Sequence, residues 1–197
     1  MKDDYIKTGR TNQKIATRGK ILISAQYFLN NGIDFNLEDI ANRSGVSRAT
    51  IYRYFSNVDI LAAEAGLDFK TKSSETIYEN LKGKTLKHKI LEIQDYYNML
   101  AIDNEKLFRK YISAVLNSST PTHKRGARRK KTLQLVLKNT NHTSKEKKDL
   151  SNLLTILMGI DPLIVTKDVC GLNNSESIKL MKWGIELLLE GFSISKK

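Results

Sequence analysis

The stretch NLEDIANRSGVSRATIYRYF, residues 36–55, has the pattern of two short helices joined by a tight turn. Asn36 is a favourable N-cap, and Asp39 follows it at capping-box spacing. Gly45 stands where the C-terminus of a helix needs a residue at positive φ, and Ser47 can cap the helix that comes next. The stretch therefore predicts a helix-turn-helix.

The second helix of this unit, residues 48–55, separates an apolar face from a polar one. Ile51 and Phe55 are four residues apart and share a face. The opposite face carries Arg48, Ala49, Tyr52 and Arg53. A helix that reads DNA needs this division, because one side anchors it and the other offers donors to base edges and phosphates.

Residues 45–61, GVSRATIYRYFSNVDIL, resemble the helix-turn-helix signature of TetR-type (TetR/AcrR) transcriptional regulators. The helical pattern before the signature, Thr17 to Asn31, and the length of the chain fit the same family. The remaining two-thirds of the chain is similar mainly in helical pattern and length. One position departs from the family pattern, since Val58 stands where the family usually carries a Lys that commonly contacts a phosphate.

The resemblance implies an all-α fold of about nine helices. Residues 1–57 would form an N-terminal three-helix DNA-binding head, and residues 58–197 a helical body for ligand binding and dimerisation. Family members are homodimers through their last two helices, enclose an apolar cavity for an effector, and most often act as repressors. We therefore expect a transcriptional regulator whose affinity for a pseudo-palindromic DNA operator is controlled by a small molecule. The alternative is a ligand-independent DNA-binding protein with the same head.

The candidate DNA contacts divide by the part of the duplex they would reach. Arg48 and Arg53 are the first choices for base edges, since a bidentate arginine suits guanine, and Ala49 would meet a thymine methyl group. The candidates for contacts that position the helix, chiefly through phosphates, are Arg18, Asn36, Ser47, Thr50, Tyr52 and Tyr54. For Tyr54, packing on the core of the head is an equal alternative.

The net charge of +12 is unevenly distributed. Residues 120–148 hold ten basic residues and one acidic residue, whereas residues 1–55 hold nine against five. The basic run 124–131 would bind DNA or an anionic ligand, or form a solvated face, which is the more usual outcome. Residues 1–13 are expected as a loose polar arm whose lysines and arginine either follow a DNA backbone or stay in solvent.

Two segments near the C-terminus are apolar on nearly every side, residues 150–169 and 176–192. Helices of this kind must be buried, which suggests burial against a second copy of the chain. Pro162 should kink or break the first of them near Ile160. The predicted dimer contacts are Leu153, Leu157, Ile160, Ile164, Met181, Gly184, Ile185 and Leu188.

A pocket for the effector would combine apolar bodies with a few polar tips. The alternative is ordinary core packing, because aromatic residues at helical spacing usually belong to a core. The candidate lining residues are Phe69, Tyr96, Tyr97, Phe108, Tyr111, Met158 and Trp183.

The sequence carries no recognisable catalytic or metal-binding constellation. Its three histidines, His88, His123 and His142, lie in different segments without HExxH or paired-cysteine spacing, and no G-x-S-x-G occurs. We therefore expect neither an enzyme, nor a metal site, nor a cofactor. With a single cysteine, no apolar run near the roughly 20 residues of a membrane span, and no signal-peptide pattern, we expect a cytoplasmic protein without a membrane partner.

Overall fold

The computed structural model describes residues 2–116 and 126–194, with side chains described for residues 12–116 and 126–192. The described chain is all-helical, as predicted, with eleven α-helices and one π-helical segment in place of the nine helices expected. The α-helices are α1 (Lys2–Asn30), α2 (Leu37–Ser44), α3 (Arg48–Tyr54), α4 (Val58–Lys70), α5 (Ser74–Glu79), α6 (Leu86–Asp103), α7 (Glu105–Leu116), α8 (Ala127–Leu137), α9 (Ser144–Ile156), α10 (Ile160–Ile164) and α11 (Asn174–Ile194). The π-helical segment, Val165–Val169, continues directly from α10.

The first helix is longer than predicted. It begins at Lys2, so the segment expected as a loose arm is helical. No proline interrupts this segment, and none of its residues therefore removes a helical hydrogen bond or clashes with the preceding turn.

Two compact units make up the described chain. The first runs to Lys70 and includes Lys106–Leu116, and the second comprises Thr71–Glu105 and the chain from Gly126 onward. This division by contacts differs from the functional boundary expected between residues 57 and 58, which stays a prediction.

The core of the first unit joins α1, α2, α3 and α4. Each of these helices buries the side of its surface that carries apolar residues at helical spacing, which excludes water from the centre of the head. The buried residues are Ile21, Leu22, Ala25, Leu37, Ile40, Ile51, Phe55, Ile60, Leu61 and Ala65.

The helical segment that follows the head is broken in the structure. α4 ends at Lys70 and α5 begins at Ser74. Ser73 caps the new helix, because its Oγ accepts a hydrogen bond from the Thr76 amide at 3.0 Å. The Lys72 amide donates to the hydroxyl of Tyr96 at 2.8 Å, so the break has side-chain partners for its backbone.

A second break lies near the predicted kink. α9 ends at Ile156 and α10 begins at Ile160. Gly159 occupies the break at φ 81°, a conformation that only glycine adopts without strain. Pro162 lies in the first turn of α10, where its missing amide hydrogen removes no intrahelical hydrogen bond.

The core of the second unit is formed by α5, α6, α8, α9 and α11, together with the break after α9. Its fully or nearly buried residues are Ile77, Leu81, Ile90, Ile93, Tyr97, Leu133, Val136, Leu137, Leu150, Leu154, Met158, Ile185 and Leu189. Among the described residues, no single helix is both long and apolar enough to cross a bilayer. One pair, Ser144–Ile156 with Ile160–Asp168, reaches that length and hydropathy only together and is bent by 45°.

Candidate nucleic-acid interface

The first helix of the helix-turn-helix is held at its N-terminus by the predicted capping box. Asn36 Oδ1 accepts hydrogen bonds from the amides of Glu38 at 2.7 Å and Asp39 at 3.2 Å. The Asp39 carboxylate accepts from the Asn36 amide at 2.9 Å. These three bonds satisfy amides that the helix itself leaves without partners, so they fix where α2 begins.

The turn that follows is also built as predicted. Gly45 adopts φ 66°, and its amide donates to the carbonyl of Ala41 at 3.1 Å. Ser47 then caps α3, since its Oγ accepts from the Thr50 amide at 3.3 Å. The same hydroxyl donates to Thr50 Oγ1 at 3.0 Å. Short-range hydrogen bonds therefore determine both ends of the turn.

The two faces of α3 are separated in the structure as the sequence predicts. Ile51 and Phe55 are buried in the core of the head. The opposite face is exposed and presents Arg48, Ala49, Tyr52 and Arg53. The helix is thus anchored on its apolar side while its cationic and aromatic side chains face solvent.

The side chain of Arg48 has two neighbours at the surface. Its Nη1 lies 3.3 Å from the Glu38 carboxylate, in an ion pair whose two side chains are each about 60% exposed. Its guanidinium also lies 6.0 Å from the centroid of the Tyr52 ring. An exposed ion pair of this kind contributes little to stability, so Arg48 can leave Glu38 for another anionic partner. Glu38 is not among the predicted interface residues, although its position in the first turn of α2 places it near the start of the helix-turn-helix.

Tyr54 lies between the core and the surface. Its ring packs against the buried cluster of the head, and its hydroxyl donates to the carbonyl of Lys14 at 3.4 Å. The guanidinium of Arg53 is 5.9 Å from the ring centroid. This environment matches the packing alternative for Tyr54, and Thr50 is likewise half-buried beside its hydrogen bond to Ser47.

Arg18 is placed away from the exposed face of α3. Its guanidinium pairs with the Glu64 carboxylate, and both side chains are mostly buried. It also lies 5.0 Å from the centroid of the Phe55 ring. The charge of Arg18 is therefore paired inside the head, where the ion pair connects α1 to α4. The surroundings of Arg18 do not support a contact with DNA.

The candidate pocket residues do not form one group. Phe69, Phe108 and Tyr111 belong to the first compact unit, and the other four belong to the second. Phe69 and Trp183 are exposed by 63% and 58%, so neither lines an enclosed pocket. Tyr97 and Met158 are buried in the second core, and Tyr96 is half-buried with its hydroxyl on the Lys72 amide.

Three described residues of the basic run make polar contacts with other residues of the second unit. Arg128 donates to the Thr71 carbonyl at 3.1 Å, and Lys131 pairs with Glu75 at 2.5 Å. The Lys131 ammonium lowers the pKa of the Glu75 carboxyl below its usual value. Arg129 is buried and pairs with Asp161 at 2.9 Å. Lys124 and Arg125 lie outside the described residues.

The predicted dimer contacts need correction. Ile160, Met181 and Ile185 are buried within the chain itself and are not available to a partner. Gly184 is approached by Leu157 of the same chain, because a β-carbon on this glycine would lie 3.4 Å from Leu157 Cδ1. Leu153 is exposed, and Leu157, Ile164 and Leu188 are half-buried. When a helix has apolar residues on every side, its sequence pattern does not indicate which side packs inward.

The exposed apolar side of α11 is not the side that carries the predicted dimer contacts. Leu180, Trp183 and Leu187 follow one another at helical spacing, and each is more than 40% exposed. On α9, Ile156 is exposed beside the predicted Leu153. We call the five residues Leu153, Ile156, Leu180, Trp183 and Leu187 the C-terminal apolar surface.

Comparison with known families agrees with the geometry of the head. Residues 24–66 match the family described as "Bacterial regulatory proteins, tetR family", and the match covers the end of α1, all of α2 and α3, and the first part of α4. Comparisons with curated proteins and with solved structures gave no match. The capped helix-turn-helix, its exposed arginines and this family match lead to one conclusion: residues 24–66 form a DNA-binding domain of the TetR type, as DNA-binding transcriptional regulators carry.

Proposed function

We propose that the chain acts as a homodimeric repressor that binds a pseudo-palindromic operator and releases it when a small-molecule effector binds. The observation that carries the DNA-binding part is the division of α3. Ile51 and Phe55 are buried, whereas Arg48 and Arg53 extend from the exposed face. A helix anchored in this way can enter a major groove without losing its own core contacts.

The side chains of α3 suggest distinct roles on the duplex. Arg48 and Arg53 can each donate two hydrogen bonds to the O6 and N7 atoms of a guanine. Ala49 is small enough to lie against a thymine methyl group. Tyr52 and Ser47 at the exposed surface, with Asn36 before α2, would position the helix through phosphates. Arg18 is not part of this proposed interface because it is paired with Glu64.

Dimerisation follows from the small size of the reading element. α3 has seven residues, which contact only a few base pairs. Useful specificity therefore requires two copies on two half-sites, and the symmetry of the operator would reflect the symmetry of the dimer. The C-terminal apolar surface is the surface that we assign to this contact, since a stripe of large apolar side chains on one side of a helix favours a protein partner.

Effector control requires that the ligand bind one conformation of the dimer more tightly than the other. By thermodynamic linkage, an effector that prefers the DNA-free conformation lowers operator affinity by the same factor as DNA lowers effector affinity. In this proposal the second unit binds the effector. The break at residues 157–159 is a position where its helices can change direction.

The DNA-binding assignment is tested by gel-shift titration against the upstream region of the protein's own coding sequence. Arg48→Ala and Arg53→Ala should each weaken specific binding by about 1–3 kcal/mol and relax the base preference at one position of each half-site. The control is Lys20→Ala, which removes the same charge from an exposed position on α1. This variant should retain the base preference of the wild type.

Equal specific binding by wild type, Arg48→Ala and Arg53→Ala would contradict the assignment of both arginines. Binding that is lost to the same extent in Lys20→Ala would mean that charge alone, and not base reading, determines affinity. A protein that binds its operator identically with every effector candidate would fit the alternative of a ligand-independent DNA-binding protein.

A further inference from the structure

Three polar side chains surround the break between α9 and α10. Gln94 and Asn98 are four residues apart on α6 and share one of its faces, and Arg129 comes from α8. They are 0%, 1% and 9% exposed, respectively. Polar groups are seldom buried so completely unless each of their atoms has a partner, so this cluster requires an explanation.

Each of the three side chains is held by the backbone of the break. Gln94 Nε2 donates to the Leu157 carbonyl at 2.9 Å, and Asn98 Oδ1 accepts from the Gly159 amide at 2.7 Å. Arg129 Nη1 donates to the carbonyl of Met158, the residue between these two. The three side chains therefore meet at three consecutive residues, and the two bonds determine which way each amide group points.

The other polar atom of each amide, and one nitrogen of the arginine, have no partner within the described chain. These atoms are Gln94 Oε1, Asn98 Nδ2 and Arg129 Nε. Their orientation cannot be reversed to find partners, because reversal would break the bonds to Leu157 and Gly159. The surrounding residues, including Leu154 and Met158, belong to the apolar core, so a bound molecule that supplied these hydrogen bonds would remove the cost of leaving the three atoms unpaired.

The three unpaired atoms define the chemistry of that molecule. Asn98 Nδ2 and Arg129 Nε are donors, and Gln94 Oε1 is an acceptor. A single hydroxyl group fits this set, because its oxygen accepts two hydrogen bonds and its hydrogen makes one. The site does not call for a charged ligand, since Asp161 already pairs with the guanidinium of Arg129 at 2.9 Å.

We propose that Gln94, Asn98 and Arg129 bind the hydroxyl group of a small effector with an apolar body, an alcohol or a phenol. The inference rests on the proposed ligand control and names the chemical class of the effector. Hydrogen bonds also connect the helix that carries Arg129 to the segment that follows α4. Arg128, the neighbour of Arg129, donates to the Thr71 carbonyl, and its own carbonyl accepts from Ser74 Oγ at 3.0 Å.

The first test uses the wild-type protein and three ring compounds of similar size. Phenol accepts and donates hydrogen bonds, anisole only accepts, and toluene does neither. In isothermal titration calorimetry we expect phenol to bind at least tenfold more tightly than anisole or toluene. Phenol binding no tighter than toluene, including no binding by either, would overturn the proposal.

The second test removes the acceptor. Gln94→Met keeps the length of the side chain and should abolish the preference for phenol over toluene. The control is Thr132→Val, which removes a buried hydroxyl of the same unit whose hydrogen bonds go to Tyr97 and Arg128. It should retain the preference. An unchanged preference in a folded Gln94→Met protein would overturn the proposal. A crystal soaked in phenol that shows only an ordered water between the three atoms would overturn it as well.

Operator binding separates this inference from the proposed function. If phenol binds as expected and gel-shift affinity for the operator does not change, the hydroxyl site stands and effector control through it fails. If operator binding depends on Arg48 and Arg53 while phenol shows no preference over toluene, the DNA-binding assignment stands and the hydroxyl site fails.

Discussion

Arg18 and Arg48 show how the surroundings of a residue determine its role. Both are arginines of the head at positions where the sequence allows a contact with DNA. Arg18 is mostly buried, in an ion pair with Glu64 and over the ring of Phe55, and removing it would take away a cationic partner of a mostly buried carboxylate. Arg48 is exposed beside Glu38 and can exchange this partner for a base.

Tyr97 is a residue whose surroundings make stability depend on pH. Its hydroxyl lies 3.1 Å from Thr132 Oγ1, which itself donates to the Arg128 carbonyl. Burial raises the pKa of the Tyr97 phenol above its usual value near 10, against the smaller opposing effect of the hydrogen bond to Thr132. The unfolded chain therefore releases this proton at a lower pH than the folded chain, and stability falls as pH rises through 10.

Tyr97→Phe should reduce this alkaline loss of stability. The free energy of unfolding, measured by urea denaturation between pH 8 and pH 11, should fall less steeply in the variant than in wild type. At pH 8 the variant should be less stable by about 1 kcal/mol, because Thr132 loses a hydrogen-bond partner. Tyr52→Phe, at an exposed position, is the control and should follow the wild-type curve. Parallel curves for wild type and Tyr97→Phe would refute this account.

At the scale of elements, α3 depends on its neighbours. An isolated helix of seven residues is far below the roughly 12–15 residues that give marginal stability in water. α3 is held by its Ser47 cap, by the turn at Gly45, and by the burial of Ile51 and Phe55. A change at Gly45 should therefore act on the reading helix, although Gly45 has no side chain to offer to DNA.

Gly45→Ala and Gly19→Ala should have opposite effects on stability. A β-carbon would have no neighbour within 4 Å at either position, so only the backbone conformation distinguishes them. At Gly45, with φ 66°, alanine should cost about 1–2 kcal/mol. At Gly19, inside α1, alanine should stabilise the protein by about 0.5–1 kcal/mol. Urea denaturation measures both, and a shift in the same direction for the two variants would contradict the role assigned to the turn.

At the scale of the whole molecule, the two compact units have separate cores. The second unit also leaves large apolar side chains exposed on α9 and α11, which together make up the C-terminal apolar surface. Association of two chains through this surface would remove it from water and place two reading heads in one particle.

Trp183→Glu combined with Leu187→Glu should convert the protein to a monomer at micromolar concentration. Two carboxylates in place of apolar side chains would have to be desolvated in the dimer contact, which is strongly unfavourable. Sedimentation velocity measures the conversion, and operator affinity should fall at least tenfold in gel shifts. Met99→Glu changes an exposed apolar residue of the same unit outside this surface and should leave the dimer intact. A double variant that remains dimeric would place the contact elsewhere.

Several features could be predicted because they depend on residues within about four positions of one another. The capping box at Asn36, the turn at Gly45, the Ser47 cap and the two faces of α3 are all of this kind. Hydrogen bonds and helical spacing at short range leave few alternatives for such a stretch. The all-helical class and the helix-turn-helix were therefore determined by the sequence alone, and the family match agrees with both.

Other features were decided only by tertiary structure. Arg18 pairs with a residue 46 positions away, and Arg129 reaches Met158 and Asp161. The break after α4 and the side of α11 that faces outward depend on which helices pack nearby. A helix that is apolar all round has several sides suitable for burial, and a buried polar atom can be identified only when its neighbours are in place. Long-range packing therefore determined the exposed side of α11 and the buried cluster of Gln94, Asn98 and Arg129.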